Sequence, residues 1–312
     1  YALAKWSVAQ RATGVKDSDL DAMVADGRIL RTHILRPTWH FVVPADIRWM
    51  MSLTGPRVDA RTRGRYLELG LGEVELARAK ELIAAALGGG RRMTRRQIGS
   101  LLEEHGVEAS IPRVSHIVMH AELDQLICSG GLDGRQHTYS LLDERVPSTP
   151  QLTRDESLAE LTRRYFTSHG PSTIADFTWW SSLTVADAKR GLVLVGSDLE
   201  RIDVDGLTHW LGGYLLSASE DDQRPAAALL QAFDEYIVGY RATRTVAWNP
   251  NSFLNAIVID GVAVGQWRRV LKTSSVVVET RLEANLSPAQ QDALEEEAER
   301  YGRFVGLPVT LA

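Results

Sequence analysis

Thr94-Arg95-Arg96-Gln97-Ile98-Gly99-Ser100-Leu101-Leu102-Glu103-Glu104, followed a few residues on by Ile111-Pro112-Arg113-Val114-Ser115-His116-Ile117-Val118-Met119-His120-Ala121, is the stretch on which the fold turns. Thr94 and Gln97 have capping-box spacing, so they open a helix that runs through Glu104, and Gly106 ends it. Val114, Ile117, Val118 and Ala121 recur at helical spacing and mark a second helix from about Ile111 to Leu126. Two strands follow, around 125–129 and 135–142, with Asp133-Gly134 at the turn. Helix, helix, hairpin is the winged-helix order, in which the second helix is the one that enters a major groove.

The same plan repeats on either side. Downstream, Thr153 and Glu156 cap a helix through Ser168, and Gly170-Pro171 breaks it. Ser172 opens a short helix through Trp180, Thr184 with Asp187 caps the next one over 185–192, and a hairpin turns at Asp205-Gly206. Upstream, a helix near 18–25 precedes strands over 29–35 and 38–43 around Arg36-Pro37, and its partner helices are expected at or before Tyr1. Pro44 starts a helix containing Ile47, Trp49, Met50 and Leu53, and a further helix over 75–87 is closed by Gly88-Gly89-Gly90. Beyond Arg241 the pattern becomes β, over 255–259, 262–267 and 275–282, with Asp260-Gly261 as a hairpin turn. Ser287, Pro288 and Gln290 then begin a last helix ending near Gly302. The fold class is α+β: three tandem winged-helix modules and a C-terminal small β-domain. The expected boundaries are 1–90, 91–150, 151–216 and 217–312.

Composition limits the function. The 312 residues are 44% apolar and 24% charged, enough for ordinary folded cores. The single cysteine, Cys128, excludes an internal disulfide framework and a thiolate zinc site, and a reducing cytoplasm fits. No apolar run approaches the ~18 residues of a membrane span. The chain begins with tyrosine, so a preceding segment is expected. Net charge is −5, with Asp292, Glu295, Glu296, Glu297 and Glu299 crowded into one segment. Without those five, acids and bases balance. Against this stand two clusters, Arg57, Arg61, Arg63 and Arg65, then Arg91, Arg92, Arg95 and Arg96. Local potential decides phosphate binding more than the total.

Three groups are candidates for chemistry. Arg113, His116 and His120 fall on one stripe of the second helix, opposite its apolar face. Phosphate or base contact, a His–His metal pair and a merely solvated face all remain open there, although no third ligand for a metal is in view. In the hairpin 35–42, Thr38 and His40 alternate with Trp39 and Phe41, so one face suits a core and the other a cleft holding Arg36, Thr38 and His40. Phe233-Asp234-Glu235-Tyr236 sets two carboxylates between aromatics, which suits orienting a water or an arginine, or else capping a helix or pairing with Arg241. Trp179-Trp180 reads as core before it reads as a stacking platform. There is no phosphate-binding glycine motif and no nucleophile elbow.

Several stretches resemble one family. They are residues 29–42 (ILRTHILRPTWHFV), Asp46-Ile47-Arg48-Trp49, Leu53-Thr54-Gly55-Pro56-Arg57-Val58, Phe233-Asp234-Glu235-Tyr236 with Gly239-Tyr240-Arg241, Trp267-Arg268-Arg269, and Glu299-Arg300-Tyr301-Gly302-Arg303-Phe304. As a set they resemble the bacterial winged-helix family that includes the DNA glycosylases AlkZ and YcaQ (AlkX). The resemblance covers essentially the whole chain. It implies three tandem winged helices and a C-terminal β-domain lining a concave DNA surface. It also implies excision of N7-alkylated purines and, in some members, unhooking of interstrand crosslinks.

The family's catalytic pair, Gln-x-Gln or Gln-x-Asp, has no match in this sequence, and relatives carry it just ahead of the stretch that matches Tyr1–Arg11. No catalytic residue is therefore carried over. The expected partner is double-stranded, damaged DNA, with no membrane, no obligate protein partner, and neither metal nor organic cofactor. The expected location is the cytoplasm, at the nucleoid. DNA contacts are expected from Arg61, Arg63, Arg65, Arg91, Arg92, Arg95, Arg96, Arg113, His116 and His120. Two rival readings are a non-catalytic winged-helix transcriptional regulator and a scaffold that uses such modules for protein contacts.

Overall fold

Two short helices, α1 (Ala2–Ala9) and α2 (Asp17–Ala25), lead into a hairpin of β1 (Leu30–His33) and β2 (Trp39–Val42). The computed structural model describes residues 1–148, 151–213, 225–240, 243 and 255–312. Helix α1 lies inside the chain, although no helix was expected there. Its sequence, ALAKWSVA, is apolar nearly all round, so no amphipathic stripe announces it. The chain forms two compact units, one of Asp21–Gly213 and another of Tyr1–Leu20 with Tyr214–Ala312.

In the first of these units, α3 (Pro44–Glu68) is the spine. The sequence pattern marked a helix containing Leu53, but the structure continues it through an internal proline, Pro56. Proline removes the amide that would bond to the Ser52 carbonyl, and Ser52 is exposed, so water can satisfy that group. Ile47, Met51, Thr54, Val58, Thr62 and Tyr66 form one continuous buried stripe. The N-terminal half of α3 packs with Leu30, Ile34, Val42, Leu158, Tyr165 and Phe177, while Val58 and Tyr66 belong to a second core with Leu76, Ile83, Ile98 and Ile117.

That second core is built by α4 (Glu73–Leu87), β3 (Met93–Thr94), α5 (Arg95–Glu104), α6 (Ile111–Leu123), β4 (Ile127–Asp133) and β5 (Gln136–Leu141). The strands order as β3-β5-β4. Thr94 and Gln97 make the expected capping box at the start of α5. Helix α6 stops at Leu123, short of the expected Leu126, because Gln125 turns to φ +58°. Asp133 pairs with Gln136, so the two-residue loop is Gly134-Arg135, one residue on from the expected turn. Gly134 takes φ +57° there, which glycine adopts without a Cβ clash.

After α7 (Leu142–Arg145) the plan recurs as α8 (Arg154–His169), α9 (Ile174–Ser181), α10 (Val185–Val195) and a hairpin of β6 (Leu199–Val204) and β7 (Leu207–Gly212). Thr153, Thr173 and Thr184 each close a capping box. Ser172 bridges Trp210 in antiparallel fashion, standing where β3 stands in the preceding segment. Asp205 and Gly206 both hold positive φ, +50° and +76°, as a type I′ hairpin turn requires.

The other unit is a five-stranded sheet, ordered β12-β11-β10-β9-β8. Its strands are β8 (Ala227–Leu230), β9 (Asn255–Ile259), β10 (Val262–Leu271), β11 (Val276–Leu282) and β12 (Val309–Leu311). A short α11 (Glu235–Val238) and the long α12 (Pro288–Val305) complete it. Trp6 of α1 donates its indole N–H to Leu229 O at 2.8 Å and meets Tyr301 of α12 edge-on at 5.1 Å. The expected boundary between 216 and 217, and Arg241, lie outside the described residues.

Candidate nucleic-acid interface

Helix α6 is enclosed along most of its length. Val114, Ile117, Val118 and Ala121 point into the core as their spacing predicts, and Met119 and Glu122 are buried too. Its open part is the N-terminal tip, where Ser110 and Pro112 are exposed and Ile111 is 79% exposed. Arg95 and Arg96, both exposed, occupy the first turn of α5 beside it, and Arg95 Nη1 donates to Ser115 Oγ of α6 at 3.2 Å. Neither helix carries an acid in its first turn. Two adjacent helix N-termini and two guanidinium groups make this edge electropositive. The loop residue Arg135 is exposed at the tip of the β4–β5 hairpin.

The stripe of Arg113, His116 and His120 is not the solvent face that helical spacing predicts. Arg113 is 7% exposed: it donates to Leu69 O at the end of α3 and to Glu108 O, with Glu75 and Glu108 as ion-pair partners at 3.7 and 3.9 Å. His116 bonds Pro112 O through Nδ1 and meets Tyr66 edge-on. His120 packs on the same ring at 5.6 Å, 3.8 Å from Asp59 and 3.5 Å from Asp124. Burial lowers the His120 pKa below its ordinary value despite those carboxylates, and raises that of the Tyr66 phenol. The polar stripe is thus the seam between α6 and the helices α3 and α4. Periodicity locates a stripe but cannot say whether water or another helix covers it.

The arginine clusters divide in the same way. Arg91 folds back onto Ala85 O and Gly88 O, closing the C-terminus of α4. Arg57 and Arg61 reach Ser182 at the end of α9 through its carbonyl and hydroxyl, at 3.5 and 2.9 Å. Such contacts satisfy carbonyls that a helix end leaves unpaired and oppose its partial negative charge. Arg65 pairs with Glu68 on the surface. Arg92 lies over the glycine pair Gly130-Gly131, where a Cβ on Gly131 would stand 2.9 Å from Nη1. Arg63 and Arg96 are exposed, and among the described residues their side chains make no hydrogen bond or ion pair.

The β1–β2 hairpin does bring Arg36, Thr38 and His40 together. His40 Nδ1 donates to Thr38 O at 3.0 Å, which directs Nε2 toward Arg36 Nη2 at 3.5 Å. Leu35, at φ +64°, is buried and donates its N–H to Thr54 Oγ1 of α3, so the tip is fixed to the spine. The expected split of faces is not met, because buried residues lie on both sides and His33 shares the side of Trp39. Thr32 and Val42, on the side of His40, are buried, but Trp39 on the opposite side is 42% exposed. Alternation along the strand assigns Trp39 to the core face. Asp234 turns out to be structural: it caps α11 and takes two bonds from Arg11, at 3.0 and 2.6 Å. Trp180 packs against Tyr165 and His169, whereas Trp179 is 39% exposed. Burial pushes the Cys128 thiol up to about 12, which leaves it an inert core residue.

Among the described residues no group of three His, Cys, Asp or Glu is placed to hold a metal ion, and no helix is long and apolar enough to cross a membrane. No curated protein matches the chain. Among solved structures it is similar to the Streptomyces sahachiroi DNA glycosylase AlkZ, at 21% identity and a TM-score of 0.75, over 100% of this chain and 89% of that one. At that identity the match speaks for the fold. The family model described as "DNA glycosylase AlkZ-like" matches residues 2–304. With nearly every residue inside that match, the chain belongs to the AlkZ-like DNA glycosylase family.

Proposed function

We propose that this protein is a monofunctional DNA glycosylase that hydrolyses the N-glycosidic bond of N7-alkylated purines in double-stranded DNA, in the cytoplasm at the nucleoid. The observation that carries the reading is the family match across residues 2–304. In this reading the chain is three winged-helix modules and a β-domain. The module order supports it, because β3 and the Ser172–Trp210 bridge occupy equivalent places in two successive segments. DNA meets the edge formed by the tip of α6 with Arg95 and Arg96, and Arg63 and Arg92 contribute further positive charge. Arg36, Thr38 and His40 face the sugar-phosphate beside the lesion.

N7 alkylation puts positive charge on the purine and makes it a good leaving group. Bond breaking then needs an oxocarbenium-like sugar to be stabilised and a water to be positioned. A neutral amide pair suffices for both, and the reading places that pair ahead of Tyr1. No metal or organic cofactor enters the scheme. A purine crosslinked to the other strand cannot leave the stack fully, so unhooking requires an open cleft rather than a closed base pocket.

The test is base release from a duplex carrying one N7-methylguanine, by protein with its native N-terminus and by protein starting at Tyr1. Free N7-methylguanine from the first alone is the expected result. Binding by both with no base released would instead favour a regulator or a glycosylase for a different lesion, and a crosslinked duplex separates the two.

A further inference from the structure

Trp39 stands on a hairpin whose residues 29–43 include Arg31, His33, Arg36 and His40 and no acid. Its ring lies across the strand beside it: the Arg31 guanidinium carbon is 4.2 Å from the ring centroid, and the His33 ring is 4.6 Å away at 42°. His33 and Trp39 are register partners, with Arg31 two residues back on the same face. His33 is held in turn, its Nδ1 2.5 Å from Oε2 of the fully buried Glu122 of α6. The indole therefore packs with a cation and an imidazole, and its side chain is still 42% exposed.

We propose that Trp39 is a stacking platform for an unpaired nucleobase, and that this base is a neutral neighbour or partner of the lesion rather than the alkylated purine. The proposal rests on the reading that the chain acts on DNA. A partly exposed indole under Arg31, on a hairpin that itself carries four basic residues and no acid, suits a planar ligand carried on an anionic backbone. The choice of base follows from Arg31. A guanidinium against one side of the ring already engages its negative quadrupole, and its charge repels a second cation arriving on the other side. A base that is neutral, and that loses its stacking partner when the damaged site opens, meets no such penalty.

The experiment uses duplexes with 2-aminopurine opposite an abasic-site analogue, and a fully paired duplex of the same sequence. The parent protein is expected to quench the 2-aminopurine and to prefer the abasic duplex. Trp39→Ala should lose the quenching and weaken abasic-duplex binding by roughly tenfold or more, while binding the paired duplex as the parent does. Trp39→Phe should keep part of both effects, which separates stacking from any loss of hairpin structure. Equal binding and quenching by parent and W39A would overturn the platform while leaving DNA binding intact. Failure of the parent to bind either duplex would overturn the DNA reading, and the platform with it.

Discussion

Arg113 of α6 gives its guanidinium to the carbonyl of Leu69, at the end of α3, and so closes one helix from the side of another. Removing it strands a helix-end carbonyl and the Glu75 and Glu108 carboxylates that flank it. Arg113→Ala should therefore cost about 1–3 kcal/mol of stability, read by urea denaturation. Stability equal to the parent's would mean that the seam does not depend on it.

His120 makes the same seam sensitive to acid. Its pKa is lowered from 6.5 in the folded chain, chiefly by burial and against the pull of Asp124 and Asp59. The unfolded chain then binds the proton more readily than the folded one. Stability from this group is complete above pH 6.5 and declines as pH falls through the interval between 6.5 and the lowered folded value. Urea midpoints measured from pH 7.5 to pH 5 should fall for the parent and fall less for His120→Gln. Parallel curves would contradict the assignment.

The hairpin's buried pair gives a sharper contrast. Glu122 is fully buried, with one oxygen on His33 and the other without a hydrogen bond. Glu122→Ala leaves an unpaired buried imidazole and should destabilise the protein by about 1–3 kcal/mol. Glu122→Gln keeps an acceptor for His33 and should cost clearly less. Thermal or urea unfolding of the two variants side by side checks the order, and equal losses would refute it.

Between α8 and α10 the packing leaves no space. A Cβ on Gly191 would stand 2.1 Å from Oγ1 of Thr162, itself fully buried. Alanine favours a helix over glycine by about 1 kcal/mol, but overpacking costs about 1–3 kcal/mol. Gly191→Ala should thus destabilise on balance. Adding Thr162→Ala should recover much of the loss in a denaturation series, whereas an additive loss would place the strain elsewhere.

Much of this architecture is legible in local chemistry. Capping boxes at Thr94, Thr153 and Thr184 and the turns at Asp205-Gly206 and Asp260-Gly261 mark element positions, because each is set by near neighbours in the chain. Helix α1 carries no such signal because it lacks a polar face. Strands β8 and β12 are short and gain their place from neighbours far away in sequence. The candidate site was legible as residue types but not as surfaces. Arg91 and Arg113 close helix ends, Arg95 and Arg96 do not, and only tertiary contacts make that distinction. Trp39 was missed for the complementary reason: alternation assigned it to a buried face, but part of that face is open.

The DNA-binding edge is tested most directly by the salt dependence of duplex affinity, measured by fluorescence anisotropy for the parent and for the double variant Arg95→Ala/Arg96→Ala. Each lost phosphate contact lowers the slope of log K against log salt by about 0.9. The double variant should therefore bind more weakly at low salt, with a slope shallower by about 1.8. An unchanged affinity and slope would contradict the account and move the interface away from the tip of α6.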